Sequence, residues 1–67
     1  MAFTSERLAY ITPDGQKVYD KQGAFNSGET LPTGDAAVDL AEGSAIIEPN
    51  TGKVKIYDKV NDQWREV

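Results

Sequence analysis

The chain has neither cysteine nor histidine among its 67 residues. Without thiols there is no disulfide and no thiolate metal site. Without imidazole, the commonest transition-metal ligand and the commonest general base are both missing. Ser-His-Asp and Cys-His nucleophilic systems cannot be assembled from what remains. No glycine-rich run matches a phosphate loop or a dinucleotide fingerprint. No apolar run approaches the roughly 20 residues that cross a bilayer as a helix. The opening residues, MAFTSERLAY, lack the basic start and apolar stretch of a secretory signal, so synthesis and retention in the cytoplasm are expected.

Positive charge is also scarce. The formal net charge is −4, with four acids and three bases in residues 1–34 and seven acids and four bases in residues 35–67. Neither half offers the cationic stripe that neutralises phosphates, which argues against DNA or RNA as a direct ligand. An acidic surface likewise disfavours an anionic membrane. Several carboxylates, Asp14, Asp20, Asp58 and Asp62, fall at turns or edges. Their spacing matches no EF-hand loop, so they are read as solvated rather than as a calcium site. Asn50-Thr51-Gly52 echoes the Asp-Thr-Gly of aspartic proteases, but asparagine does not ionise. No catalytic, metal or cofactor-binding residue is assigned, and no enzyme activity is expected.

The residues present favour β-structure. A chain of this length is one small domain, residues 1–67, able to bury only about 60% of the surface its unfolded form exposes. Residues 1–8 read as an N-terminal arm or a first strand. Residues 9–21 read as a hairpin around Pro13, Asp14 and Gly15, where proline presets one turn position and glycine accepts a left-handed one. Residues 22–43, with four of the six glycines, have no sustained period and read as an irregular segment. Within it, residues 35–43 have room for one short helix or for an extended lead-in to the next strand. Residues 44–67 read as a β-meander: a short strand, a turn at Pro49, Asn50 and Gly52, an alternating strand, a reversal at Asn61-Asp62 and a closing strand. The predicted fold is therefore a mostly-β meander of hairpins with an irregular centre.

In the alternating strand, Val54 and Ile56 fall on one face and Lys53, Lys55 and Tyr57 on the other. The aliphatic face is taken as the core, with Ile46 and Ile47 beneath a lid formed by Trp64. On that reading Trp64→Ala loosens the domain and Lys55→Ala is nearly neutral. Phe3, Tyr10, Tyr19, Phe25, Leu31 and Tyr57 remain as candidate partner-binding residues, because aromatic side chains are enriched at interface centres. The competing account pairs Tyr19 with Tyr57 across strands of one small sheet. The stretches ITPDGQKVYDK and IEPNTGKVKIYDK share a turn vocabulary, which is read as two similar hairpins rather than a duplication.

The second half of the chain resembles small head-associated proteins of tailed bacteriophages, of the head-fibre or capsid-decoration type. The residues carrying the resemblance are Leu31, Pro32 and Thr33, then Gly43 and Ser44, then Thr51, Gly52, Lys53 and Val54, then Tyr57, Asp58 and the closing Trp64. The hairpin at residues 10–21 lies outside it. The resemblance implies a virion protein on the capsid exterior that binds the major capsid protein or another virion component, either as a single chain or as a homo-oligomer. Two other readings remain open: an acidic inhibitor or adaptor bound to a host protein, and a tail or neck component.

Overall fold

The computed structural model describes residues 2–67. Five strands form one sheet: β1 (Ala2–Ile11), β2 (Lys17–Ala24), β3 (Ala45–Glu48), β4 (Lys53–Asp58) and β5 (Gln63–Glu66). They lie side by side in sequence order. The pairs β1/β2, β3/β4 and β4/β5 are antiparallel, whereas β2 and β3 run parallel. A parallel step cannot be made by a tight turn. Residues 25–44 therefore cross over the sheet before the chain can re-enter it. The fold is mostly β, as expected, but the meander is broken at its centre by this crossover. Residues 2–8 belong to β1 rather than to a free arm, and β2 runs to Ala24, into the segment read as irregular.

Both anticipated hairpin turns form where proline and glycine place them. At the first, the Gly15 N–H donates to the Thr12 carbonyl at 2.9 Å, and Gly15 takes a φ of 93° that side-chain-bearing residues rarely adopt. At the second, the Gly52 N–H reaches the Glu48 carbonyl at 2.7 Å. Of the possible helix in residues 35–43, only a 3-10 turn at Gly34–Ala37 forms. The chain then straightens to bridge β2: the Tyr19 N–H donates to the Asp39 carbonyl at 2.7 Å, and the Ala41 N–H to the Tyr19 carbonyl at 2.8 Å. This backbone pairing outcompetes two turns of a helix that would be marginal alone.

The crossover supplies the core. Ala37, Leu40 and Ala41 are buried with Val18, Ile46 and Tyr57. Leu40 and Ala37 pack on Tyr57, and Phe3 and Trp64 close the cluster from the sides. Each fully buried Leu, Ile or Val contributes about 1.5–3 kcal/mol. Ser44, fully buried, accepts the Lys21 N–H through its Oγ at 3.1 Å, where the β2/β3 ladder has not yet begun. The polar backbone at that junction is thus satisfied without water.

This arrangement overturns part of the expected core. Tyr57 is 2% exposed, while Ile47, Val54 and Ile56 are 47%, 38% and 38% exposed. The register gives the reason. Tyr57 lies opposite Trp64, so both rings share a face, and that is the face the crossover covers. Val54 and Ile56 pair with Ile47 and Ala45 on the opposite face. Of the two isoleucines expected inside, Ile46 is buried and Ile47 is not. Trp64 is the anticipated lid, but it closes on Tyr57 and Phe3 rather than on the aliphatic positions.

Candidate docking surface

One side of the sheet is covered by the crossover and the other is open. The covered side shows what makes the open side rigid. The Trp64 Nε1–H donates to the Pro32 carbonyl at 2.9 Å, pinning the crossover to β5. The Tyr57 hydroxyl donates to Asp62 Oδ1 at 2.6 Å, and the Gly34 N–H reaches both Asp62 oxygens at 2.9 Å. Asp62 itself takes a φ of 53°, in the left-handed region where aspartate is one of the tolerated residues. It is therefore a clasp between the last turn, β4 and the 3-10 segment, not the merely solvated carboxylate expected from the sequence. Burial and the bond to Asp62 push the Tyr57 phenol up to about 12.

A second anchor sits at the other end of β4. Glu48 is 4% exposed and accepts from the Lys55 ammonium at 2.9 Å and the Thr51 hydroxyl at 2.7 Å. These bonds, Lys55 first and Thr51 second, hold its carboxyl below the ordinary value. Asn50, in the adjoining turn, accepts the Ser27 N–H at 3.0 Å and ties down the start of the crossover. Lys55 is thus the partner of a buried charge, which corrects the expectation that it is dispensable.

The open side is built by strand register. One row runs Ala24, Ile47, Val54, and the next Gln22, Ala45, Ile56, Arg65. The Val67 N–H donates to the Val54 carbonyl at 2.9 Å, extending the first row by one more aliphatic residue. Val60 and Val67 stand 89% and 81% exposed. With Ile56, Arg65 and the acids Glu42, Asp58 and Glu66 they line a shallow depression of about 480 Å³. Charge on these rows is confined to Arg65, which reaches Asp58 in the next row at 2.8 Å. Bonds from Asn61 and then Arg65 hold the Asp58 carboxyl down at about 2. The open side thus offers exposed aliphatic side chains, one internally neutralised ion pair and an acidic margin at Glu42 and Glu66.

The candidate partner-binding residues divide. Phe3 and Phe25 pack against each other at 5.1 Å between ring centres, and Phe3 stacks on Trp64 at 6.4 Å. Phe3, Phe25 and Tyr57 therefore hold the fold together. Tyr57 pairs with Trp64 and Tyr19 with Leu8, so the alternative Tyr19–Tyr57 pair does not form. Tyr19 and Leu31 are half-buried. Tyr10 is exposed on the outer strand β1, where Leu8 and Ile11 are exposed as well. Sequence reasoning missed Ile47, Val54, Ile56, Val60 and Val67 as surface residues. The signal was available: Tyr57 and Trp64 flank the Asn61-Asp62 reversal and must face the same way once it closes.

A groove of about 440 Å³ lies between the first hairpin turn and the 3-10 segment, with Asp14, Asp35, Asp62 and Lys59 at its rim and Val18 and Ala37 at its floor. Its acids are engaged where they are closest: Asp62 in the clasp and Asp14 with the Thr12 hydroxyl, each held below the ordinary carboxylate value by those bonds first. Comparison with protein-family models, curated proteins and solved structures finds no match to this chain.

Proposed function

We propose that this chain is a non-enzymatic structural module of a tailed-phage virion, a capsid-decoration or head-fibre-type component that acts by adhesion. The observation that carries the adhesive part is the open aliphatic sheet face. A domain of 67 residues with a thin core leaves Ile47, Val54 and Ile56 exposed together on a rigid scaffold. Contiguous apolar surface of this kind marks an interaction site. The virion assignment rests on the resemblance of residues 31–64 to head-associated phage proteins, and the fold is compatible with it. A decoration protein needs a stiff small body and a sticky face, and binding to the folded form alone stabilises it by mass action.

The test is particle association. In cells producing phage that carry this gene, the chain is expected to co-sediment with purified particles in a fixed stoichiometric copy number. Recovery only from the soluble fraction would overturn the proposal. The adaptor reading, in which the chain binds a host protein instead, predicts that soluble outcome.

A further inference from the structure

We infer that the open face of β3, β4 and β5 packs against the same face of a second copy of this chain, giving a two-fold dimer of sheets. This goes beyond the virion reading and does not depend on it.

Three observations single out a second copy from other occupants. First, composition: Ala24, Ala45, Ile47, Val54, Ile56 and Val67 form a surface of small and β-branched aliphatics with no aromatic ring. Homodimer interfaces resemble a domain core cut in half, whereas interfaces between unlike proteins lean on Tyr, Trp and Arg anchors. Ile47, Val54 and Ile56 read as a core in the sequence because they have a core's composition. Second, charge: the chain carries −4 overall, so two copies repel unless they meet where the charge cancels. Along the strand rows of this face it does, since Arg65 and Asp58 neutralise each other, and of the acids that border them Glu66 is paired with Lys53 and Glu42 accepts the Lys59 N–H. A surface carrying one charge of each sign presents a complement to its own copy, as a two-fold contact requires. Third, shape: each strand contributes alternate residues to the face, so two such faces interdigitate at the spacing of stacked sheets, about 10 Å. The covered face is occupied by the crossover; the open face has the same need and no segment of the described chain to meet it. Leu8, Tyr10 and Ile11 on β1 then remain available to another partner.

The test is sedimentation equilibrium of the full chain from micromolar to near-millimolar concentration. A monomer–dimer equilibrium is expected. Ile56→Lys and, separately, Val54→Lys place unpaired charge in the contact and are expected to weaken it about tenfold or more. Leu8→Lys on β1 is expected to leave it unchanged. Circular dichroism and thermal melts of each variant show whether it remains folded. Should both lysine variants unfold, hydrogen exchange of the unmodified chain decides instead: amide protection in β4 and β5 must rise with concentration while that in β1 does not. A chain that stays monomeric throughout overturns the inference, as does a dimer indifferent to the two face substitutions. A monomer that binds particles overturns the dimer and keeps the virion proposal. A dimer that ignores particles does the reverse.

Discussion

Lys55 and Lys53 are two residues apart on the same strand, yet the structure gives them different weight. Lys53 meets Glu66 at 3.4 Å with both side chains about half exposed, a pair that water screens and that contributes little. Lys55 meets a carboxylate that water barely reaches. Lys55→Ala is therefore expected to lower the melting temperature clearly more than Lys53→Ala. The difference should shrink in acid: Glu48 has a depressed folded value, so its stabilising effect is present above the ordinary carboxylate range and is lost as pH falls through the folded value. Thermal melts of both variants at neutral pH and near pH 3 check this. At Trp64, truncation to alanine removes the contacts to Phe3 and Tyr57 and leaves the Pro32 carbonyl without its donor. A loss of about 3 kcal/mol is expected, a large part of what so small a domain holds in reserve, and chemical denaturation measures it. Tyr57 gives the alkaline counterpart. Its raised folded value means that its contribution is intact below about pH 10 and lost as pH rises through about 12. Tyr57→Phe should flatten that alkaline fall in stability.

At the level of elements, Gly23 decides how β1 joins the sheet. A Cβ at this position would meet the Ala2 carbonyl oxygen at 2.4 Å and the Phe3 Cα at 2.5 Å, and both are backbone. β1 approaches this closely beside the irregularity between Phe3 and Ser5, where Phe3 lies opposite Gly23 and lends its ring to the core. Gly23→Ala is expected to detach the start of β1 and to cost about 1–3 kcal/mol, with early hydrogen exchange at residues 2–5 as the local signature. Elements of this kind differ in how far the sequence reveals them. The two hairpin turns were legible because proline and glycine at Pro13, Gly15, Pro49 and Gly52 act locally. β4 was legible as a strand, but its buried face was not. Alternation says that two faces differ without saying which one another segment will cover. That choice was made by the crossover, whose Ala37 and Leu40 carry no periodic signal and whose anchors, Asp62 and Asn50, are 28 and 23 residues from the Gly34 and Ser27 N–H groups they hold. The parallel β2/β3 step was hidden for the same reason: it arises from where a long irregular segment lands.

For the whole molecule, 39 Å long and 23 by 18 Å across, several carboxylates set the acid limit together. Asp58 at about 2 and the lowered Asp14, Glu48 and Asp62 each keep their contribution above the ordinary carboxylate range and lose it as pH falls through the folded value. Cooperative acid unfolding is therefore expected between about pH 4 and pH 2 rather than at milder acidity, and circular dichroism across that range tests it. The proposed adhesive role also belongs to this scale. It rests on how much apolar surface a short chain leaves uncovered, not on any single side chain.

The crossover of residues 25–44 also bears on the order in which the molecule assembles. Each hairpin closes a short loop and can form early on its own. The parallel junction of β2 with β3 requires a much longer loop to close before any contact rewards it. Seating Leu40 and Ala37 beneath Tyr57 is then the event that turns two independent ribbons into one cooperative unit. Before that event the aromatic side of the sheet is as bare as the aliphatic side, and the nascent chain leaves two faces uncovered where the finished one leaves a single face.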